Sequence, residues 1–200
     1  PGVMSANASR HYLNRYGVLT GKNIVITTNN DSVYQTAIEL HEAGSKVTVL
    51  DSRKNINVDL PKEIELHLET LPFSINGRKK IESLDVCKAT DKANKYTIIC
   101  DQVLVSGGWS PIVNLVSHRG IKPVWNEDNL CFVPGEIKEN ITVVGSARGI
   151  WNNDDCIKSG IVGANEAMNN LGIQKKEIAF PSIGGWSNPI DALYEVKSNK

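Results

Sequence analysis

The chain has 200 residues, which is enough for one domain or two small ones. Its 22 Lys and Arg residues balance 22 Asp and Glu residues, so the formal net charge is zero. This balance argues against a protein that binds nucleic acid by neutralising phosphates, and against a basic membrane-binding surface. No apolar run approaches the roughly 18 residues that a membrane span requires.

The four cysteines are widely spaced and form no CxxC pair. They are Cys87, Cys100, Cys131 and Cys156. A zinc site or a redox dithiol is therefore not expected, and no metal ligand is predicted. The cysteines are interpreted as reduced thiols, mostly in the core, which is typical of a cytoplasmic protein. Because the chain starts at Pro1 and shows no signal peptide, we expect it to be a piece of a longer polypeptide.

The first quarter of the chain alternates helix and strand patterns. The predicted elements are a helix over 5–16, a strand over 23–27, a helix from Val33 to Gly44 and a strand over 46–50. Gly17 is expected to end the first helix, and Asp31 or Ser32 to cap the second. Strand, polar turn, helix and parallel strand form a βαβ unit, so the predicted fold class is α/β.

The middle third changes period and predicts an antiparallel β-meander. The predicted strands are 64–68, 73–75, 81–86 and 96–100. Asn76-Gly77 separates two of them and is a strong hairpin signal. Another predicted strand, over 102–106, continues into two glycines.

The last third predicts a strand over 141–144, a glycine turn and a helix over about 154–170. Asp154 and Asp155 are expected to cap that helix. Its predicted apolar face consists of Ile157, Ile161, Ala164 and Met168. The tail over 180–200 is expected to be a surface connector. The four tryptophans stand beside loops, where one of them either lines a site or interface or packs in the core.

The turn over 28–32 joins the first strand of the βαβ unit to its helix, where a Rossmann unit binds pyrophosphate. The candidate cofactor ligands there are Asn29, Asn30, Ser32 and Asp51. Asp51 stands about 20 residues beyond the turn, as a ribose-binding carboxylate does. However, the turn contains no glycine, and the charge of Asp31 repels phosphate. Two interpretations stay open: a nucleotide site built from Asn and Ser, or a Rossmann unit that lost its ligand and kept its packing.

Two glycine turns are further candidates for cofactor contact. Gly107 and Gly108 follow a buried strand. They form either a turn at which the backbone comes close to a cofactor or a turn between domains. Gly145 and Ser146 lie at a strand-to-helix turn, which suits a phosphate or a flavin edge. Arg148 is either a phosphate partner there or a solvated arginine. No catalytic residue is predicted, since the four histidines form no recognisable grouping.

Five stretches are distinctive when taken together: PGVM at 1–4, YLNRYG at 12–17, TNNDS at 28–32, VLVSGGWSP at 103–111 and VVGSARG at 143–149. In combination they resemble the alpha subunit of heterotetrameric sarcosine oxidase, along essentially the whole chain. The resemblance implies an oxidoreductase that converts sarcosine, oxygen and tetrahydrofolate to glycine, hydrogen peroxide and methylenetetrahydrofolate. It implies beta, gamma and delta subunits as partners, together with the rest of the alpha chain, and neither nucleic acid nor membrane.

The resemblance also implies a Rossmann-like, three-layer FAD/NAD(P)-binding fold of disulfide-reductase type. The implied domains are the end of the first half of an FAD-type domain at 1–20, an NAD-type Rossmann domain at 21–113, the returning half of the FAD-type domain at 114–175 and a connector at 176–200. NAD is expected on the full alpha subunit and FAD and FMN in the complex, while this segment alone holds either NAD or no cofactor. The Gly-Asp pair that contacts the cofactor in disulfide reductases is replaced here by Gly145 and Ser146.

The segment is therefore expected to supply scaffold and part of a dinucleotide-binding wall, with sarcosine oxidised on the beta subunit. Two other functions stay open. One is a vestigial nucleotide domain that serves as a subunit-interaction module, which the glycine-free turn favours. The other is a stand-alone NAD(P)H-dependent reductase of the ferredoxin-reductase type. For it, Arg53 hints at a 2′-phosphate, but Asp51 at a strand end favours NAD over NADP.

Overall fold

The computed structural model describes residues 1–137, 140–174, 178–180, 182–184 and 190–192. The chain divides into two compact units. The first unit comprises Pro1–Gly108 and Asp191–Lys200, and the second comprises Trp109–Ile190. None of the helices in the described ranges is long and apolar enough to cross a membrane.

The first unit contains most of the regular structure. Its elements are β1 (Val3–Ser5), α1 (Ala6–Tyr16), β2 (Asn23–Thr28), α2 (Tyr34–Glu42), β3 (Lys46–Asp51), β4 (Glu65–Leu68), β5 (Thr70–Asn76), β6 (Ser83–Lys88), β7 (Lys95–Ile99) and β8 (Gln102–Ser106). A short 3-10 turn, Asp31–Val33, precedes α2. The second unit contains α3 (Asn114–Ser117), β9 (Val124–Asn126), β10 (Cys131–Val133), a 3-10 turn (Gly145–Arg148) and α4 (Asn153–Asn170).

A five-stranded parallel sheet, in the order β1-β8-β2-β3-β4, forms the centre of the first unit. The strands β2 and β3 are buried on both faces, which explains their nearly continuous apolar sequences. On one face Ile26 and Val49 pack with Leu40 of α2. On the other face Val25 packs with Val86 of the antiparallel meander β5-β6-β7. The predicted α/β fold with a parallel sheet and a meander is confirmed.

Two details of the middle third differ from the prediction. The strand at Glu65–Leu68 pairs parallel with β3, so it completes the parallel sheet and is not part of the meander. The connection between β5 and β6 is longer than the tight hairpin expected at Asn76-Gly77. The two ends of this connection are joined by a hydrogen bond of 2.9 Å, which Glu82 N donates to Asn76 O. Gly77, with φ +138°, takes a conformation that other residues rarely adopt.

The helix ends show how local polar groups set the boundaries. Helix α1 begins after Ser5, whose hydroxyl accepts a hydrogen bond from Ala8 N, and ends at Gly17 with φ +63°, as predicted. The expected caps of the next helix, Asp31 and Ser32, are wrong. The capping side chain is that of Asn30, which accepts from the Ser32 amide at the start of the 3-10 turn.

Among its described residues, the second unit has the two-stranded sheet β9-β10 and no larger sheet against which its long helix could pack. The strand predicted over 141–144 is wrong, because no other strand in the described residues pairs with it. Helix α4 is confirmed, but its cap is Asn152, which bonds the amides of Asp154 and Asp155. The apolar face expected at Ile157, Ile161, Ala164 and Met168 is half-buried or exposed, and among the described residues of α4 Gly163 alone is buried.

All four cysteines are free thiols, with Cys87, Cys100 and Cys131 buried and Cys156 half-buried. Most of the tail predicted as a connector over 176–200 lies outside the described residues. Asp191 is described and belongs to the first unit.

An ion pair joins α1 to α2 and predicts a loss of stability in acid. Arg10 donates to both carboxylate oxygens of Glu39 at 2.8 and 2.7 Å, and Asn14 donates at 2.8 Å. The hydrogen bonds from Arg10 lower the pKa of Glu39 from 4.5 to about 2. Because the pKa of Glu39 is lower in the folded chain than in the unfolded chain, the ionised carboxylate stabilises the fold above pH 4.5. This stabilisation is lost as the pH falls toward 2 and Glu39 becomes protonated.

Since Arg10 is 41% exposed, solvent screens the pair, and we expect it to contribute about 1 kcal/mol. Glu39→Gln removes this contribution at neutral pH and makes the variant less sensitive to acid than the parent. Urea unfolding at pH 7 and pH 3 measures both effects. The control is Glu42→Gln, an exposed residue on the same helix. Equal losses between pH 7 and pH 3 in the parent and in Glu39→Gln contradict the prediction.

Candidate functional site

The carboxyl edge of the parallel sheet brings together six of the predicted cofactor residues. Strands β2, β3 and β8 are neighbours, and Thr28 lies opposite both Asp51 and Ser106 in the strand register. The residues Asn29, Asn30 and Ser32 follow β2, Asp51 ends β3, and Gly107 and Gly108 follow β8. Ligands of open α/β sheets bind at this edge.

The side chain of Asn30 is fully engaged within the turn. Its Oδ1 accepts hydrogen bonds from the amide of Ser32 at 3.1 Å and from its hydroxyl at 2.6 Å. Its Nδ2 donates to Ser106 O at 3.1 Å and to Asn29 Oδ1 at 2.9 Å. Asn30 is 0% exposed. These contacts give Asn30 a structural role, because they use both of its donors and its acceptor.

Asn29 contacts a residue that is distant in sequence. Its Nδ2 donates to the backbone oxygen of Asp191 at 2.7 Å. Its own backbone oxygen accepts from the Asp191 amide at 3.2 Å. The turn is therefore covered at Asn29 by another part of the chain.

Asp51 is the centre of a buried charge cluster. Its Oδ1 accepts from the amide and Nε of Arg53 at 2.9 and 3.0 Å. Its Oδ2 accepts from Tyr34 Oη at 2.5 Å and from Arg53 Nη2 at 2.8 Å. The guanidinium also forms an ion pair with Asp31 at 2.6 Å. Both oxygens of Asp51 are thus occupied, which disfavours the ribose contact expected from its position.

The cluster shifts the pKa values of Arg53 and Tyr34. Burial lowers the pKa of Arg53, but its contacts with Asp51 and Asp31 outweigh burial and raise the pKa above its ordinary value. Burial and the hydrogen bond to Asp51 raise the pKa of Tyr34 as well, so its hydroxyl is a permanent donor. The assignment of Asn29, Asn30, Ser32 and Asp51 to cofactor contact stays a prediction, and these internal bonds argue against it.

The glycine turn of the second unit, residues 145–149, is fixed by packing and by positive φ angles at its two glycines. Gly145, with φ +60°, donates its amide to Ser159 Oγ at 2.8 Å. Gly149, with φ +86°, is so closely packed that a Cβ atom there would lie 2.8 Å from Val133 Cγ1. The turn is therefore held by α4 and β10, and its shape depends on glycine at both ends.

A cavity of about 470 Å³ lies beside this turn, within the second unit. Its lining includes Trp109, Pro111, Ile112, Ser146, Trp151 and Cys156. The rings of Trp109 and Trp151 are 6.2 Å apart at a tilt of 35°. The Nε1 atoms of both tryptophans are buried and have no hydrogen-bond partner in the part of the chain that the structure describes. Two unpaired donors beside aromatic walls fit a ligand that offers a flat ring and acceptor atoms.

The charges around this cavity disfavour a phosphate. Asp154 and Asp155 occupy the first turn of α4 and oppose an anion at that helix end. Arg148 is exposed and lines a separate cavity of about 260 Å³, together with Glu136 and Glu166. Of the predicted residues in this turn, the structure thus places Ser146 in the larger cavity and Arg148 in the smaller one. Neither placement by itself tests a cofactor contact.

Several residues at these sites are not among the candidate cofactor ligands predicted from the sequence. Tyr34 and Arg53 complete the environment of Asp51, and only the close spacing of Asp51 and Arg53 offered a signal. Asp191 offered none, because it approaches the turn from a distant part of the sequence. Trp109 and Trp151 stood out only as tryptophans beside loops.

No family model matches the chain. It is 36% identical over 185 residues to sarcosine oxidase subunit alpha of Rhizobium meliloti, covering 92% of this chain and 18% of that protein. It is 30% identical over 186 residues to the same subunit from a Corynebacterium species, covering 88% of this chain and 19% of that protein. The chain therefore spans about a fifth of the length of the curated relatives that it matches.

Solved structures with similar folds are flavoprotein-type oxidoreductases. A thioredoxin reductase from Lactococcus lactis matches with a TM-score of 0.62 and 19% identity, over 84% of this chain and 57% of that one. L-proline dehydrogenase from P. horikoshii matches with a TM-score of 0.60 and 15% identity, over 88% of this chain and 31% of that one. At such identities the likeness shows the fold, which is an FAD/NAD(P)-binding fold of disulfide-reductase type. The resemblance to the alpha subunit of sarcosine oxidase that the sequence motifs indicate is thereby confirmed, for a segment of that subunit.

Proposed function

We propose that the chain is the nucleotide-binding and scaffold region of the alpha subunit of a heterotetrameric sarcosine oxidase. The complete enzyme converts sarcosine, oxygen and tetrahydrofolate to glycine, hydrogen peroxide and methylenetetrahydrofolate. The observation that supports this most is the 36% identity to the Rhizobium meliloti subunit over 92% of the chain. The fold shared with flavin-dependent reductases and a dehydrogenase agrees with an oxidoreductase component.

The domain assignment within that subunit is part of the proposal. Residues 21–113 form an NAD-type Rossmann domain, 1–20 and 114–175 belong to an FAD-type domain, and 176–200 form a connector. The state of the second unit supports this division. Its segment over 141–144 has no strand neighbour in the described residues, and α4 buries little beyond Gly163. Both features are expected where a sheet from another part of the alpha chain completes the domain.

NAD is the proposed nucleotide of the full alpha subunit, with its nicotinamide ring at the cavity of the second unit. The unpaired indole N–H groups of Trp109 and Trp151 support this, because the carboxamide of nicotinamide offers an acceptor to such donors. Ser146 lines this cavity and would border the ring, with Gly145 next to it in the chain, while the acidic first turn of α4 would disfavour the phosphates there. NAD supplies a hydride-accepting ring when it is bound.

The other parts of the enzyme lie outside this segment. FAD and FMN are proposed in the complex, and sarcosine is oxidised on the beta subunit, so no catalytic residue is assigned here. The beta, gamma and delta subunits and the rest of the alpha chain are the proposed partners, in the cytoplasm. Gly107 and Gly108 remain proposed backbone contacts at the sheet edge, where both are exposed.

Calorimetric titration of the complete complex with NAD, beside NADP and FAD, tests the cofactor assignment. Trp151→Phe keeps an aromatic ring in the cavity and removes the N–H donor. We expect it to weaken NAD binding about tenfold, the effect of one lost hydrogen bond of about 1.4 kcal/mol. Trp125→Phe is the matched control, because Trp125 packs on Phe132 and does not line the cavity. Equal NAD affinities in the two variants, or no saturable NAD binding, overturn the assignment.

One observation favours the vestigial domain as a second candidate. The turn after β2 uses its polar groups internally, so the first unit retains Rossmann packing without an open phosphate site. In that case the unit serves subunit contacts, and the exposed pair of Trp125 and Phe132 is a candidate contact in the second unit. Subunit assembly that is unchanged by Trp125→Ser and Phe132→Ser counts against this function.

A further inference from the structure

The peptide of Asp191 occupies the mouth of the turn between β2 and α2. It pairs with Asn29 through two hydrogen bonds, one to the backbone and one to the side chain. Asn29 is 3% exposed, whereas Asp191 is exposed, so the contact lies over a buried side chain at the surface of the first unit. The carbonyl of Asp191 thus takes up the amide donor of Asn29, which an anionic ligand would otherwise accept from.

The turn offers few free donors for a pyrophosphate. The amide of Asn30 donates to Thr28 Oγ1 at 3.2 Å, and the amide of Ser32 donates to Asn30 Oδ1 at 3.1 Å. In a working Rossmann turn, backbone amides of this kind point at the phosphates. Here they satisfy side chains of the turn itself.

The charges of the turn also oppose an anion. Asp31 and Asp51 carry two negative charges against one positive charge on Arg53. In the pair of Arg53 and Asp51 both side chains are almost completely buried, at 4% exposure for Arg53 and 0% for Asp51. In such surroundings a diphosphate meets a net negative charge with little screening by water.

We propose that residues 190–192 are a built-in strap that covers the pyrophosphate position of the first unit and excludes nucleoside diphosphates from it. The strap replaces the ligand that ordinarily ties the turn to the sheet edge. The strap thereby closes the turn between β2 and α2. This proposal concerns the first unit alone and does not depend on the cofactor proposed for the second.

Hydrogen exchange of the complete complex, followed by mass spectrometry, tests the strap. Asn29→Ala removes the side-chain hydrogen bond to Asp191, and we expect exchange to accelerate about fivefold in peptides that cover Asp191. This factor corresponds to one net hydrogen bond of about 1 kcal/mol. Asn55→Ala, an exposed asparagine in the same unit, is the control and leaves this exchange unchanged. Unchanged exchange at Asp191 in Asn29→Ala overturns the proposal.

ADP-ribose at millimolar concentration is the probe for the excluded ligand. We expect it to leave exchange over residues 29–33 and at Asp191 unchanged in the parent complex. Slower exchange over 29–33, or faster exchange at Asp191, shows that a nucleotide enters the turn and overturns the proposal. If Asn29→Ala does not fold, Asn29→Asp is the second variant. It keeps the acceptor for Asn30 Nδ2 and removes the donor to Asp191.

Discussion

Replacing Arg53 with leucine is expected to lower the free energy of unfolding of the first unit by about 3–5 kcal/mol. The substitution leaves Asp51 fully buried and Asp31 mostly buried without their guanidinium partner. Tyr34 and the backbone amide of residue 53 still donate to Asp51, but two neutral donors do not offset a buried charge. Urea unfolding followed by circular dichroism measures the loss.

The neighbouring residue supplies the control for this prediction. Lys54→Leu makes a similar change at an exposed position and is expected to alter stability by less than about 0.5 kcal/mol. Asp51→Asn is expected to cost less than Arg53→Leu, because Arg53 retains its ion pair with Asp31. A loss in Arg53→Leu that is no larger than in Lys54→Leu contradicts the role assigned to the cluster.

Gly149→Ala is expected to destabilise the second unit by about 2 kcal/mol or more. The backbone there has φ +86°, which alanine adopts only with strain, and the new Cβ would lie 2.8 Å from Val133 Cγ1. It would also lie 3.4 Å from Asn129 Nδ2, which donates to Gly149 O. The turn that lines the proposed nicotinamide cavity is therefore expected to deform.

Gly160→Ala is expected to increase the stability of the second unit, whereas Gly149→Ala decreases it. Gly160 lies inside α4 with open space around its Cβ position, so alanine is expected to stabilise the helix by up to about 1 kcal/mol. All four tryptophans follow residue 108, so tryptophan fluorescence during urea unfolding reports on the second unit. If Gly149→Ala and Gly160→Ala change the unfolding midpoint in the same direction, the strain assigned to Gly149 is wrong.

The elements that the sequence predicted well are those whose pattern is local. The apolar runs of β2 and β3 and the helical spacing of α2 are visible without knowledge of the rest of the chain. Helix caps were harder to predict, because Asn30, Asp31 and Ser32 are all good capping residues and loop geometry decides between them. Residues 141–144 have a sequence typical of a strand, but a β-strand also needs a neighbouring strand to pair with, and the described residues provide none.

The candidate site was predictable in position but not in its hydrogen bonds. The spacing of Asp51 from the turn correctly places it at the edge of the sheet beside β2. Its engagement by Tyr34 and Arg53 depends on side-chain directions that the pattern does not encode. The approach of Asp191 to Asn29 depends on the path of the whole chain, and sequence spacing carries no trace of it.

The strand order of the first unit has a consequence for the order of events during synthesis. Because β8 lies between β1 and β2, the sheet cannot close until the ribosome has released residue 106. Asp191 emerges later still, at the usual rate of roughly 5–20 residues per second, so on the order of several seconds separate the two events. During that interval the nascent chain carries a formed sheet with Asn29 uncovered. Newly made chains therefore pass through a stage in which the turn is accessible, which the finished protein does not display.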